Sequence, residues 1–223
     1  MMRTSDKGRV ALAIKEGLVP APYLDSVGVW TFGIGHAETS GIAPNPRNMP
    51  KGMPADVDAA IRDAFRLFGP TLERFEADVR AAVKMPVAQH EFDALVSFHY
   101  NTGGIARAAL TRHLNAGNRA KAAEAFMGWL RPPEIRGRRK AEQRLFRDGV
   151  YPTGSIPVYA VTASNRPGRV IRHISSTDAL ALMGAAAPQR PAQPAPAPAA
   201  PKPAPNPLAA LLAALAALFR RKQ

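Results

Sequence analysis

The sequence predicts an α+β domain, mostly α: a helical body with a small β-hairpin lobe near its N-terminus. Three observations carry this expectation. Long stretches after Ala55 repeat apolar residues at helical spacing. Residues 23–34 read instead as two short strands around a turn, with glycines following closely. Beyond Asp148 the composition shifts twice, to a β-rich run and then to proline and alanine, so a body of about 150 residues carries appendages.

The first helix is expected over residues 5–17. Ser5 or Thr4 can cap it, Val10, Ala13 and Ile14 form a short apolar face, and Gly17 stops it. Residues 23–25 and 29–34 are expected as strands around Ser26-Val27-Gly28. Residues 41–54, with four prolines, read as a loop. Val57, Ile61, Ala64, Phe65 and Phe68 then share a helix face, which Leu72, Phe75, Val79 and Val83 continue after Gly69-Pro70 until Pro86 breaks the run. Residues 92–100 are apolar nearly all round, the mark of a buried central helix, and Asn101-Thr102-Gly103-Gly104 ends it. Further helices are expected over 106–116, 119–130 and 138–147.

Residues 156–161 and 170–175 read as strands around Asn165-Arg166-Pro167-Gly168. Two strands alone are marginal, so this appended hairpin is expected to pack on the body. The expected organisation is therefore a domain over 1–150, a β-hairpin with a short helix over 151–184, a Pro/Ala-rich linker over 185–207, and an amphipathic terminal helix over 208–223. That tail sets Leu208, Leu211, Leu212, Leu215, Leu218 and Phe219 on one stripe and ends in Arg220, Arg221 and Lys222. Its twelve-residue stripe is too short to span a bilayer, which needs about 20 residues. An apolar stripe with a cationic end suits the surface of an anionic membrane, and docking on the domain or on a second copy fits the same pattern.

Thirty Lys and Arg against 17 Asp and Glu give the 223 residues a net charge of +13, which favours polyanionic partners. There is no cysteine, hence no disulfide, thiolate nucleophile or thiolate metal site. His90, His99, His113 and His173 lack ligand partners at useful spacing, so neither metal nor cofactor is expected. The apolar portion of the N-terminus, residues 10–14, is far shorter than the core of a signal peptide, so no leader is expected there. A nucleic-acid partner has only the basic charge in its favour, with no stacking platform or recognised motif.

The chemistry-bearing stretch is KEGLVPAPYLDSVGVWTFGIGH, in which eight residues separate Glu16 from Asp25 and five separate Asp25 from Thr31. Cleaving a glycosidic bond requires an acid for the leaving oxygen and a second carboxylate. Glu16 at a helix end, Asp25 before a turn and Thr31 in the returning strand can supply an acid, a base and a hydroxyl to hold water. Each residue also has an ordinary reading: a solvated helix end, a turn former and a β-branched strand residue. The spacing alone leaves both open.

This stretch resembles the active-site signature of the phage-type lysozymes, glycoside hydrolase family 24. The likeness continues through QHEFDALVSFHYNTGG, LTRHLNAGNRAKAAEAFMGW and RGRRKAEQRLF, in order, over roughly residues 7–148. It implies a lysozyme-like fold and a muramidase that cleaves the β-1,4 bond between N-acetylmuramic acid and N-acetylglucosamine with inversion. By position, Glu16 is then the general acid, Asp25 the activating or supporting carboxylate, and Thr31 the residue that orients water. An acid catalyst needs a proton, for which Leu18, Val19, Trp30 and Phe32 are the apolar neighbours the sequence offers. Phe32, Asn101 and Arg138 are the candidate substrate contacts, although for Arg138, Arg139 and Lys140 a solvated helix face fits equally. His36 is expected to be structural. The family commonly places an aspartate partner for this histidine where this chain has Thr71, and Pro132-Pro133 replaces a glycine-bearing approach to the last helix.

The resemblance implies peptidoglycan as the partner, action as a monomer, synthesis in a host cytoplasm, and release to the periplasm and cell wall through a holin-like partner. Residues 208–222 offer a contact to an anionic membrane. A competing reading is a non-enzymatic, cationic envelope-binding or membrane-permeabilising protein on a lysozyme scaffold; three intact catalytic positions weigh against it.

Overall fold

The computed structural model describes residues 1–186. The expected terminal helix over 208–223, and the Pro/Ala linker beyond residue 186, lie outside the described residues. The described chain carries α1 (Asp6–Glu16), β1 (Val19–Leu24), β2 (Trp30–Gly33), β3 (His36–Ala37), α2 (Val57–Ala82), α3 (Gln89–Thr102), α4 (Ala109–Asn115), α5 (Arg119–Ala125), α6 (Arg136–Asp148), β4 (Ile156–Val161), β5 (Pro167–Ile174) and α7 (Ser176–Ala186). It is mostly helical with two small antiparallel sheets, ordered β1-β2-β3 and β4-β5.

Helix α3 is the axis of the core. Leu95, Val96 and Phe98 have no solvent exposure, and Phe65, Phe68, Leu72 and Val79 of α2 join the same buried cluster. Gly103 caps α3 in the left-handed conformation (φ 58°), its N–H donating to the His99 carbonyl at 2.7 Å. Helix α2 runs through Pro70 without ending, although proline removes one i→i−4 bond. Its apolar face, continuous on both sides of Gly69-Pro70, outweighs that loss.

Several expected boundaries move, each for a physical reason. Strand β1 begins at Val19, not Tyr23: Pro20 and Pro22 cannot donate to a ladder, so pairing skips from Val19↔Gly33 to Tyr23↔Thr31. The two-residue strand β3, pairing Phe32 with His36 and Thr31 with Ala37, was not expected. Residues 106–108 and 126–130 are not α-helical; 3-10 turns at Ile105–Arg107 and Phe126–Gly128 replace them. Pro167 and Gly168 belong to β5, because the turn closes earlier, at Asn165 (φ 55°).

The appended hairpin shares the core of the body. Ile156 and Val158 of β4 are fully buried and belong, with Ile174, Ala179 and Met183, to the cluster built around α2 and α3. Burial of each large apolar side chain stabilises by about 1.5–3 kcal/mol, enough to hold two strands that would not persist alone. The described residues form one unit. Among the described residues no helix is long and apolar enough to cross a membrane, and no cluster of His, Cys, Asp or Glu is arranged to hold a metal.

Candidate active site

Ser5 caps α1 by accepting from the Gly8 N–H at 3.0 Å, and the helix ends at Glu16. Gly17 (φ 69°) turns the chain into β1, so Glu16 stands at a corner with its side chain 21 % exposed. Arg138 of α6 donates through Nη2 to Glu16 Oε1 at 2.6 Å and through Nε to Glu142 Oε1 at 3.1 Å. Burial works against the Arg138 charge, but the two carboxylates outweigh it and raise its pKa above the usual arginine value. Arg138 is thus a fixed cation that holds the Glu16 carboxyl in place.

Asp25 follows β1 directly. Its Oδ1 accepts from the N–H of Val27 at 3.0 Å and of Val29 at 2.8 Å, and its own N–H donates to the Val29 carbonyl at 3.0 Å. The residue therefore forms its turn, as the ordinary reading held, while Oδ2 takes no hydrogen bond among the described residues. Thr31 of β2 is buried and pairs in register with Tyr23, two residues before Asp25; its hydroxyl donates to the Val29 carbonyl at 3.2 Å.

Tyr23 was not singled out in the sequence, yet it links the three. Burial, then the charge of Glu16, then that of Asp25, raise the pKa of its hydroxyl well above the usual tyrosine range. Tyr100 of α3 is raised too, by burial first and then by Glu16 and Tyr23. Its hydroxyl donates to the Ile34 carbonyl at 2.6 Å. Gly35 (φ 70°) admits that hydroxyl: a Cβ there would lie 2.4 Å from it. Both phenols thus hold their protons more firmly than a free tyrosine, by burial and by the charge of Glu16.

The remaining candidates divide. Phe32, expected as a sugar contact, is 2 % exposed and packs in the core, in a strand whose residues Thr31, Phe32 and Gly33 are all buried. Arg138 is occupied by Glu16 and Glu142 and is not a free substrate cation. Arg139, 1 % exposed, is the opposite of a solvated helix face. It donates to Glu142, to the Asn101 side chain and, at 3.2 Å, to the Trp129 carbonyl, and it lies over the Phe98 ring. Lys140 is exposed.

Asn101 lines an open pocket of about 460 Å³ with Trp129, Leu130, Arg131 and Ile135. His36 is buried; Nδ1 meets the Thr71 hydroxyl at 3.2 Å and Nε2 the Pro44 carbonyl at 3.0 Å. Thr71 itself donates to the Leu67 carbonyl at 2.8 Å, so a threonine stands where an aspartate was expected as the partner. On the far side of the hairpin, Glu38 accepts from the Trp30 N–H at 3.2 Å and pairs with Arg47, while Lys51 sits over the Trp30 ring. The Arg47 guanidinium, ahead of every other cause, holds the partly buried Glu38 carboxyl below its usual range.

A helix-end glutamate held by an arginine, beside a three-stranded hairpin lobe on a helical body, defines a lysozyme-type glycoside hydrolase. The family model described as Phage lysozyme matches residues 13–142, and the chain belongs to that family. The endolysin of Salmonella phage P22 is 32 % identical over 152 residues, which cover 66 % of this chain and 99 % of the relative. Among solved structures, the endolysin from Escherichia coli O157:H7 phage FAHEc1 matches with TM-score 0.55 and 33 % identity, over 68 % of this chain and 98 % of that one. The muramidase domain of SpmX from Asticaccaulis excentricus matches with TM-score 0.50 and 28 % identity, over 66 % of this chain and 99 % of that one.

Proposed function

We propose that the chain hydrolyses the β-1,4 bond between N-acetylmuramic acid and N-acetylglucosamine in bacterial peptidoglycan, with inversion, in phage-type cell lysis. The observation that carries this reading is the Glu16 carboxyl, partly exposed at a helix corner and fixed by Arg138 at 2.6 Å beside the strand that leads to Asp25. Glu16 protonates the glycosidic oxygen as the bond breaks. Asp25 offers the unbonded Oδ2 to the incoming water, while Oδ1 stays tied to its turn. The Thr31 hydroxyl, donating to Val29, keeps lone pairs that accept from that water. The fixed donors need no rearrangement when charge develops, which is how a prebuilt site lowers a barrier.

The relatives named endolysin and the neighbour named a muramidase domain support the substrate and the bond. The pocket beside Asn101, with Trp129 and Arg131, is suited to a neighbouring unit of the polymer, since an aromatic face and a cation complement sugar and carboxylate respectively. Release from the producing cell through a holin-like partner completes the setting.

Inversion has a direct readout. Early in the digestion of a defined oligosaccharide, the α-anomer should appear first at the new reducing end, as expected when water attacks opposite a β-linked leaving group. First release of the β-anomer would make the second carboxylate a nucleophile. The tail has its own test: deleting residues 207–223 should leave digestion of purified peptidoglycan intact while weakening permeabilisation of intact Gram-negative cells. Equal loss in both assays would make the tail structural.

A further inference from the structure

The hairpin β4–β5 lies beyond the residues 13–142 that the family model matches. The P22 and FAHEc1 relatives are used over nearly their whole length by about two thirds of this chain. The appended strands therefore lie outside the family match, yet they touch both ends of the strand that joins Glu16 to Asp25. At the first end, Leu18 donates to the Pro157 carbonyl at 2.9 Å and accepts from the Tyr159 N–H at 2.8 Å. The Tyr159 ring fills the space over Gly17, where a Cβ would lie 2.6 Å away, one residue after Glu16. At the second end, the Leu24 N–H donates to the Asn165 carbonyl at 2.7 Å, and Arg166 Nη1 donates to the carbonyls of Asp25 and Leu24.

The tip that makes these contacts is itself built to hold a shape. Thr162 closes it by donating its N–H to the Arg166 carbonyl at 2.8 Å and accepting the Arg166 N–H on its hydroxyl at 3.1 Å. The Asn165 N–H returns to the Thr162 carbonyl at 2.9 Å, and Asn165 takes the left-handed conformation that asparagine tolerates. Strand β1 needs such support. Its prolines leave the ladder to β2 unpaired between Val19 and Tyr23, so β2 alone fixes it poorly.

We infer that the hairpin β4–β5 is a brace for β1 that sets where Asp25 stands relative to Glu16, and that Arg166 is a positioning residue for Asp25. The inference rests on the proposed roles of those two carboxyls. Arg166 is exposed and far from the core, so its removal should act locally. In the full chain, Arg166→Ala should lower kcat on a soluble peptidoglycan fragment about tenfold with KM nearly unchanged, since small misplacements in a site cost up to about 10²-fold. Amide exchange at Val27 and Val29 should quicken at the same time. Arg166→Lys should recover most of the loss, because an ammonium can still donate to the Asp25 carbonyl.

Asp25→Asn separates this inference from the reading beneath it, since an asparagine Oδ1 keeps the turn bonds. In an Asp25→Asn background, Arg166→Ala should cause no further loss, the coupling expected of groups that act as one. Wild-type exchange and kcat in Arg166→Ala, or the same fold-loss in both backgrounds, would overturn the brace. Near-wild-type activity of Asp25→Asn would instead refute the role of Asp25, while faster exchange in Arg166→Ala would still support the brace.

Discussion

Glutamine at position 16 is expected to lower the rate of peptidoglycan clearing by about 10²–10⁴-fold, the range that a positioned general acid contributes. The fold should survive. A glutamine Oε1 still accepts from Arg138, and Arg138 keeps its second carboxylate, Glu142, at 3.1 Å. The thermal midpoint should therefore stay within a few degrees of wild type while turbidity clearing is lost. Clearing near the wild-type rate in Glu16→Gln would remove this residue from the acid role. That result would also leave the arrangement of Arg138, Tyr23 and Tyr100 around it without a chemical purpose.

The second large effect concerns stability and falls on Arg139. Its guanidinium serves Glu142, Asn101 and the Trp129 carbonyl from a site 1 % exposed, and Glu142 also accepts from Arg138 and, at 2.8 Å, from the Ser97 hydroxyl. Removing Arg139 takes from the buried Glu142 one of its two cations and strips the guanidinium from the Phe98 ring, a cost bounded by the about 3–5 kcal/mol of a fully broken buried ion pair. For a unit of this size each kcal/mol moves the midpoint by about 2–4 °C, so Arg139→Ala should lower it by up to roughly 20 °C in thermal unfolding followed by circular dichroism. Arg139→Lys should not restore it, because a single ammonium cannot span three acceptors in one plane. A midpoint within 2 °C of wild type would mean that the network is not structural. Activity at low temperature should fall less than stability, since Arg138 alone touches Glu16.

Much of this molecule was legible in the amino-acid order. Periodicity located α2, and the all-round apolar character of residues 92–100 located the central helix, because those signals come from burial itself. The appended hairpin was legible as strands too small to stand alone, and its packing followed from that. The first half of strand β1 was hidden because Pro20 and Pro22 interrupt its pattern, yet an edge position with few ladder bonds tolerates both. Strand β3 was hidden because two residues carry no period.

At the site, the spacing of Glu16, Asp25 and Thr31 raised the question, and resemblance favoured one answer. The surrounding electrostatics were the illegible part. Residues 136–147 look like a basic helix face, and only the fold turns Arg138 and Arg139 inward against Glu16 and Glu142. The Arg-Arg-x-x-Glu spacing held a clue, since i,i+3 and i,i+4 place both cations beside one carboxylate. The burial of Phe32 was illegible for a simpler reason: an aromatic beside a catalytic candidate invites a sugar-contact reading, and only the packing of β2 on the helical body buries both faces of the strand. The reach of Arg166 to the Asp25 carbonyl spans 141 residues, a link that no local pattern carries.

The most direct test of the central claim is the chemistry of the new ends. Purified peptidoglycan should be digested to completion with the full chain, reduced with borohydride, and its fragments identified by mass. The account predicts N-acetylmuramitol at the new ends, with no new free amino groups from the peptides. New ends that carry N-acetylglucosaminitol, 1,6-anhydro sugars that resist reduction, or free peptide amines in place of cut glycan would contradict it.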